Sequence, residues 1–579
     1  MSHCRGGPLM VVKLHSVFAE LLDIAVLASC TGALASCSDP TRFDNAPVTS
    51  DAGVTQTVSP QGDCPADPAW LPADGGAPPP VKMYPFATHP APECPFYIGG
   101  FQNFLIAAHP LPNGDPAIVT YPTIDDVFVK ANPLPQAALA PPDTHRGTKA
   151  RSWLGDIKQA GQREILIDQH GHTIYYGIHM NQAFADFIRA NKLQTVAGIQ
   201  NASPKLALPP GLVEFKTAWM DIDPGDGVTG DFSNYITTTA WVPVLSKDAT
   251  GRIVENKNAP RQIKVALLAV HSVYTLPGHP EMVWASIQHV DSGGNDHLQG
   301  VELGVHANAA PTTDFNPDEV NDPNNLKVTT VLSTQTDYLL YKGGTPANQA
   351  NRSIPESALT LDSATQSFPA NQVSNIYRMF PGSKSNKIQP DDDVTSLNNN
   401  WAALVARNSG KMNKADKRGF YRLVGAQWLD KPEVFQLGAT FQNDPSSNPL
   451  LQSDFKKALA VSVTLAQYDE RRIVAMAAAN RGNNDPLKAA LDDIQANGSD
   501  SPFSITGGED RMSSTSMESF TQAPASFRNC FSCHNTMGVT SNGTPVTPDN
   551  MGTVTALLGP KLLNVSHLFS QFVLEDSSP

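Results

Sequence analysis

Between about residues 160 and 300 the apolar positions recur mainly at every second residue, the spacing of a strand with one buried face. "GLVEFKTAWMDID" places Val213, Phe215 and Trp219 on one face, and "NYITTTAWVPVL" adds a run of β-branched residues. "REILIDQHGHTIYYGIHM" alternates on both sides of Gly171 and predicts a β-hairpin turning there. "QIKVALLAVHSVY" is apolar almost without interruption, as expected of a strand covered on both faces, and "LPGHP" turns it into "EMVWASIQHVD". The period changes in "MNQAFADFIRANKL", where Phe184, Phe187 and Ile188 fall at helical spacing behind Asn181 as a cap. From about 300 to 450 the chain is rich in Asn, Asp, Pro and Ser, which predicts ordered loops. Helical spacing returns in "DFKKALAVSVTLAQYDERRIV" and "DPLKAALDDIQANG". The expected fold is α+β: a β-rich, largely antiparallel sheet or sandwich with long loops and a small helical C-terminal segment.

Five stretches follow from this pattern. Residues 1–37 read as an export segment, because Arg5 and Lys13 precede an apolar run from Ile24 to Ala35, with Glu20 and Asp23 close by. "LASC" occurs twice, ending at Cys30 and Cys37, and resembles the lipidation box of bacterial lipoproteins; Ala33-Leu34-Ala35 offers an ordinary cleavage site instead. The expected location is the periplasm, soluble or held at the outer membrane through lipid on Cys37 or Cys30. Residues 38–80 are rich in Pro, Gly, Asp, Ser and Thr and read as a tether. Residues 81–300 form the β-rich domain, 301–500 a loop-rich region with helices, and 501–579 a separate C-terminal segment. A net charge of −14 excludes nucleic acid as a partner, since an acidic chain repels phosphate backbones.

The C-terminal segment contains "NCFSCHN", residues 529–535. Chance placement of 7 Cys and 15 His in 579 residues yields C-x-x-C-H about 0.002 times, so the motif is a strong signal for covalent attachment of one haem. On a helix, Cys530 and Cys533 share a face and can bond the two vinyl groups of one porphyrin. His534 then falls beneath the iron, with a ring N–H free to bond a backbone carbonyl. Structural zinc would need a second ligand pair, and the other cysteines are more than 430 residues upstream. A thioredoxin-like disulfide would need a preceding βαβ unit, which the pattern lacks. With Cys4, Cys30 and Cys37 in the export segment and the last pair on haem, Cys64 and Cys94 remain to form a disulfide.

At these residues the chain resembles the c-type cytochromes. "FKTAW", "VHSVYTLPGHPEMVWASIQHVD", "STSMESF" and "LNVSHLF" extend the likeness to exported bacterial proteins of the cytochrome c family, over roughly residues 160–300 and 505–572. The resemblance implies haem and export but no particular reaction. The sixth iron position has three candidates: His567, 33 residues past His534 in an amphipathic stretch; Met551, 17 residues past it; and Met517, approaching from the N-terminal side. The expected function is electron transfer with redox partner proteins of the cell envelope, the β-rich domain serving as scaffold or docking platform. Two alternatives stand beside it: a peroxidase- or oxidase-like haem enzyme with an open distal site, and a non-catalytic haem-sensing lipoprotein. Whether the chain is an enzyme is therefore left open by the sequence.

Other polar residues point to structure. A hairpin centred on Pro277 and Gly278 would set His271 near Ala285 and His289 near Leu267, on one face but about 13 Å apart, too far to share a metal ion. His170, His172 and His179 surround a turn with no carboxylate at ligand spacing, and Asp221 and Asp223 end a strand. No G-x-S-x-G, H-E-x-x-H, P-loop or dinucleotide fingerprint occurs.

Overall fold

The alternating stretches are strands of a single sheet. A computed structural model describes residues 64–72, 75–82, 93–129, 153–161, 164–203, 206–289, 339–343, 345, 349, 352–376, 392–429, 506–509, 514–519, 530–534, 538–541, 543, 557–559 and 561–576. All of these belong to one unit, Pro60–Pro579. Residues 1–63, with Cys30 and Cys37, the helices expected from 454 to 498, and Met551 lie outside them.

Strands β1 (Tyr175–Met180), β2 (Val213–Asp221), β3 (Thr237–Lys247), β4 (Ile253–Leu276), β5 (His279–His289), β6 (Tyr421–Leu429) and β7 (Thr506–Gly508) pair antiparallel in the order β1-β2-β4-β5-β6-β7. At 24 residues, β4 is long enough to take two successive neighbours on the edge opposite β2. β3 lies beside Ile253–Ala266 and β5 beside Ala269–Leu276. The fold is α+β with an antiparallel sheet, and the sheet crosses the predicted borders after residues 300 and 500, because β6 and β7 add to its edge.

Helices cover both faces. α1 (Cys94–Ala107) and α3 (Asp392–Asn408) pack on the face that carries Phe215, Trp219, Tyr274, Ala285 and Ile287. α2 (Gln182–Ala190) begins where Asn181 Oδ1 accepts the Phe184 N–H, and it buries Phe184 and Ile188 against α5 (His567–Asp576) on the opposite face. The one-turn helix α4 (Cys530–Cys533) lies on that same face.

Four expectations change. The stretch predicted as a tether joins the core from Cys64 onward. Cys64 is disulfide-bonded to Cys94 with 5.3 Å between Cα atoms, and Trp70 is buried between Phe101 and Trp401. Hydrogen bonds hold the described part of this segment as well, Asn400 donating to Cys64 O at 3.0 Å and Gln102 to Pro79 O at 2.7 Å. The loop-rich region supplies α3 and β6; Val394, Leu397, Trp401 and Leu404 fall on one helical face beneath intervening asparagines. The hairpin about Gly171 forms but is short: Asp168 N–H donates to His172 O and Ile174 N–H to Leu166 O, each 2.9 Å, with a single bridge of Ile167 to Thr173. Its first arm also bonds residues 339 and 374 on its other side, Gln169 N–H to Leu339 O and Ser374 N–H to Ile167 O, each 2.8 Å. Lastly, the Pro277-Gly278 turn pairs Leu276 with His279, and an irregularity just beyond it adds two residues on β5, so Tyr274 faces Val283 and His271 faces Ser286 rather than Ala285. Side chains alternate with period two, so the pairing of His271 with Ser286 puts His271 and His289 on opposite faces of the sheet.

Candidate functional site

The alternation that buries Val213, Phe215 and Trp219 on the face shared with Tyr274 and Ala285 sends Glu214 and Lys216 to the other face of β2. His271 on β4 is the cross-strand partner of Lys216, and Trp284 on β5 lies opposite Val273. Against this face the C-terminal chain brings two histidines together. His534 follows α4, whose first N–H at Cys530 is accepted by Gln427 Oε1 at 2.7 Å. His567 opens α5. Their Nε2 atoms face each other at 2.6 Å, with ring centroids 3.7 Å apart, and the Trp284 indole packs on the His534 ring at 3.8 Å.

The environment keeps both imidazoles neutral. Burial pushes His567 down to about 3, with the electrostatic influence of Lys216 and His271 acting in the same direction. Burial also holds His534 well below the ordinary histidine value, helped by His567, Lys216 and His271 and opposed by a hydrogen bond to the Val565 backbone. Two neutral rings offer lone pairs, so the pair can donate to a metal at either Nε2. Burial raises the Glu214 carboxyl to about 7, while hydrogen bonds from Ser566 and the His567 backbone pull it back. The Ser566 hydroxyl donates to Glu214 Oε2 at 2.5 Å. His271 Nε2 lies 2.7 Å from Glu518 Oε1, which ties the 514–519 segment to the sheet, as does the Tyr176 hydroxyl donating to Ser516 O. The indole Nε1–H of Trp284 and the Ser286 hydroxyl are buried with no hydrogen-bond partner among the described residues.

Of the candidate ligands, the structure brings His534 and His567 together. Met517 is buried elsewhere, in an apolar cluster with Tyr176, Leu268 and Ile376. Cys530 is half-buried against the cluster that contains Phe531 and Leu568. Among the described residues no three His, Cys, Asp or Glu side chains gather to hold a metal ion by themselves. Sequence reasoning missed Glu214, Lys216, Trp284 and Gln427, and assigned His271 no part here. A signal for the first two was present: charged residues alternate with the buried apolar set of a strand whose other face is also covered. The short motifs around Lys216, His271, Trp284, Glu518 and His567, far apart in the chain, meet at this one place. No family model matches the chain, and neither a curated protein nor a solved structure does.

Proposed function

We propose that this chain is an exported monohaem c-type cytochrome that transfers electrons between redox partner proteins of the cell envelope. Haem c would be held by thioether bonds to Cys530 and Cys533, with His534 and His567 as the axial iron ligands. The observation that carries the reading is the meeting of the C-x-x-C-H histidine with a second imidazole, Nε2 to Nε2. The donor set fits the group. Metal–imidazole bonds of about 2.0–2.1 Å require about 4 Å between the nitrogens. The rings, now 2.6 Å apart at Nε2, would therefore separate by about 1.5 Å on taking up iron. The unpartnered Trp284 N–H and Ser286 hydroxyl leave donors for a cofactor's carboxylates.

When bound there, haem supplies a reversible one-electron couple. The residues of the chain do the rest. His534 and His567 would both ligate the iron, beside the apolar cluster that contains Phe531, Leu568 and Trp284, whose indole packs on the His534 ring. Two strong ligands leave no vacancy for peroxide or oxygen, which supports a carrier over the open-site enzyme and the sensor. Export, and lipid attachment at Cys37 or Cys30, belong to the same proposal and rest on residues 1–37. Among the described residues no helix is long and apolar enough to cross a membrane.

The test is spectroscopic. Protein recovered from the envelope should show a six-coordinate, low-spin ferrous haem that binds carbon monoxide slowly or not at all. His567→Ala should convert it to a form that binds carbon monoxide rapidly, whereas Met517→Ala and Met551→Ala should not. Cys530→Ala with Cys533→Ala should abolish haem staining on a denaturing gel. Staining that persists in the double variant, or a high-spin wild type that takes up carbon monoxide quickly, overturns the reading.

A further inference from the structure

The register of the sheet places four side chains in one row on the histidine-bearing face. Glu214 on β2 pairs with Val273 on β4, Val273 with Trp284 on β5, and Trp284 with Gln427 on β6. With neighbouring strands about 4.8 Å apart, the row spans about 14 Å. Each end holds one of the two histidine-bearing segments. At one end Glu214, 4% exposed, receives the Ser566 hydroxyl at 2.5 Å and is hydrogen-bonded by the His567 backbone. Ser566 Oγ in turn accepts the Leu568 N–H at 3.3 Å, so the first turn of α5 is tied to β2. At the other end Gln427, 2% exposed, accepts the Cys530 N–H at 2.7 Å and donates through Nε2 to Glu509 O at 2.6 Å. Trp284, between the two ends, packs on His534.

We infer that Glu214 and Gln427 are positioning residues: from the two ends of one row across the sheet they hold α5 and α4 so that His567 and His534 meet. This rests on the haem reading above. It assigns the β-rich body the task of aligning the two axial ligands, and it makes the C-terminal segment dependent on the sheet. The physical reason lies in the segments themselves. α4 is a single turn and cannot fix its own direction, while an isolated ten-residue helix such as α5 is marginal in water. Hydrogen bonds from buried side chains of a rigid sheet supply the orientation that neither segment can generate alone.

The experiment compares Glu214→Ala, Glu214→Gln and Gln427→Ala in the full chain, purified from the envelope with haem attached. Haem staining after denaturation reports attachment, and the visible spectrum with carbon monoxide binding reports axial ligation. Glu214→Ala should keep the thioether-bound haem but bind carbon monoxide at least about tenfold faster than wild type, as expected for loss of a hydrogen bond to a buried carboxyl. Glu214→Gln retains an acceptor oxygen for Ser566 and should restore the wild-type spectrum. Gln427→Ala should likewise keep covalent haem and bind carbon monoxide faster. If Glu214→Ala does not accumulate, Ser566→Ala decides, since it cuts the same link from the other side and should also speed carbon monoxide binding. A low-spin wild type whose Glu214→Ala and Gln427→Ala forms keep its spectrum and slow binding overturns this inference and leaves the haem reading standing. So does a Glu214→Gln form as open as Glu214→Ala. A wild type without covalent haem defeats the haem reading instead.

Discussion

Placing a methyl group on Gly100 tests how closely α1 is seated on the sheet. A Cβ built there falls 2.3 Å from the Cβ of Ala285 on β5, with the Ala285 Cα at 3.8 Å behind it. Carbon atoms in contact sit about 3.5–4.0 Å apart, so helix and strand must separate by more than about 1 Å. Ala285 has no rotamer by which to move aside, and α1 carries Phe96, Phe101 and Phe104, all fully buried. Overpacking of this kind costs about 1–3 kcal/mol. Replacing Gly by Ala inside a helix regains about 1 kcal/mol. We therefore expect Gly100→Ala to be net destabilising by up to about 2 kcal/mol, read as a lower urea midpoint at unchanged slope. The informative arm is the double variant. Ala285→Gly removes the opposing methyl, so Gly100→Ala with Ala285→Gly should be more stable than the sum of the single effects predicts. A Gly100→Ala midpoint at or above wild type, or strictly additive effects, would refute the close seating of α1.

Two further outcomes are expected. Cys64→Ser with Cys94→Ser should lose roughly 3–4 kcal/mol, from the loop-closure entropy of a cross-link spanning 30 residues, and peptide mapping of unreduced wild type should recover the two cysteines linked; free thiols at both positions would contradict the pairing. Acid should destabilise the fold through His289 and His179, which burial pushes down to about 3 and about 4. Below about pH 6.5 the unfolded chain binds protons at these rings that the folded chain does not, so stability is fully present above that pH and falls by about 1.4 kcal/mol per pH unit per histidine until each folded value is reached. His289→Gln should lower the proton uptake on unfolding at pH 5 by about one; unchanged uptake would show that His289 is not held neutral.

The local pattern of the chain settled what depends on near neighbours. Period-two alternation located β2, a nearly continuous apolar run located β4, the cap at Asn181 marked the start of α2, and the Pro-Gly turn placed the β4–β5 hairpin. These signals are readable because strand alternation, helix capping and turn chemistry involve residues a few positions apart. The C-x-x-C-H spacing is of the same kind, since two thiols and an imidazole on one turn need no tertiary partner to be recognised. Reach along the chain also made His567 one of three candidates to face His534, but reach alone could not rank it.

Tertiary structure decided the rest. The interstrand register, with Leu276 opposite His279 and His271 opposite Ser286, set His271 and His289 on opposite faces, because side chains alternate along each strand. Backbone at residues 339 and 374 added bonds to the first arm of the hairpin at Gly171, and Trp70 drew a Pro-rich segment into the core. The site itself joins residues from 214 to 567. Glu214, Lys216, Trp284 and Gln427 look, in sequence, like ordinary polar and aromatic positions of strands. Their meaning comes from the register that sets them opposite one another, which is fixed by hydrogen bonds between strands whose paired residues lie as much as 143 positions apart, as Trp284 and Gln427 do. No spacing along the chain encodes that distance.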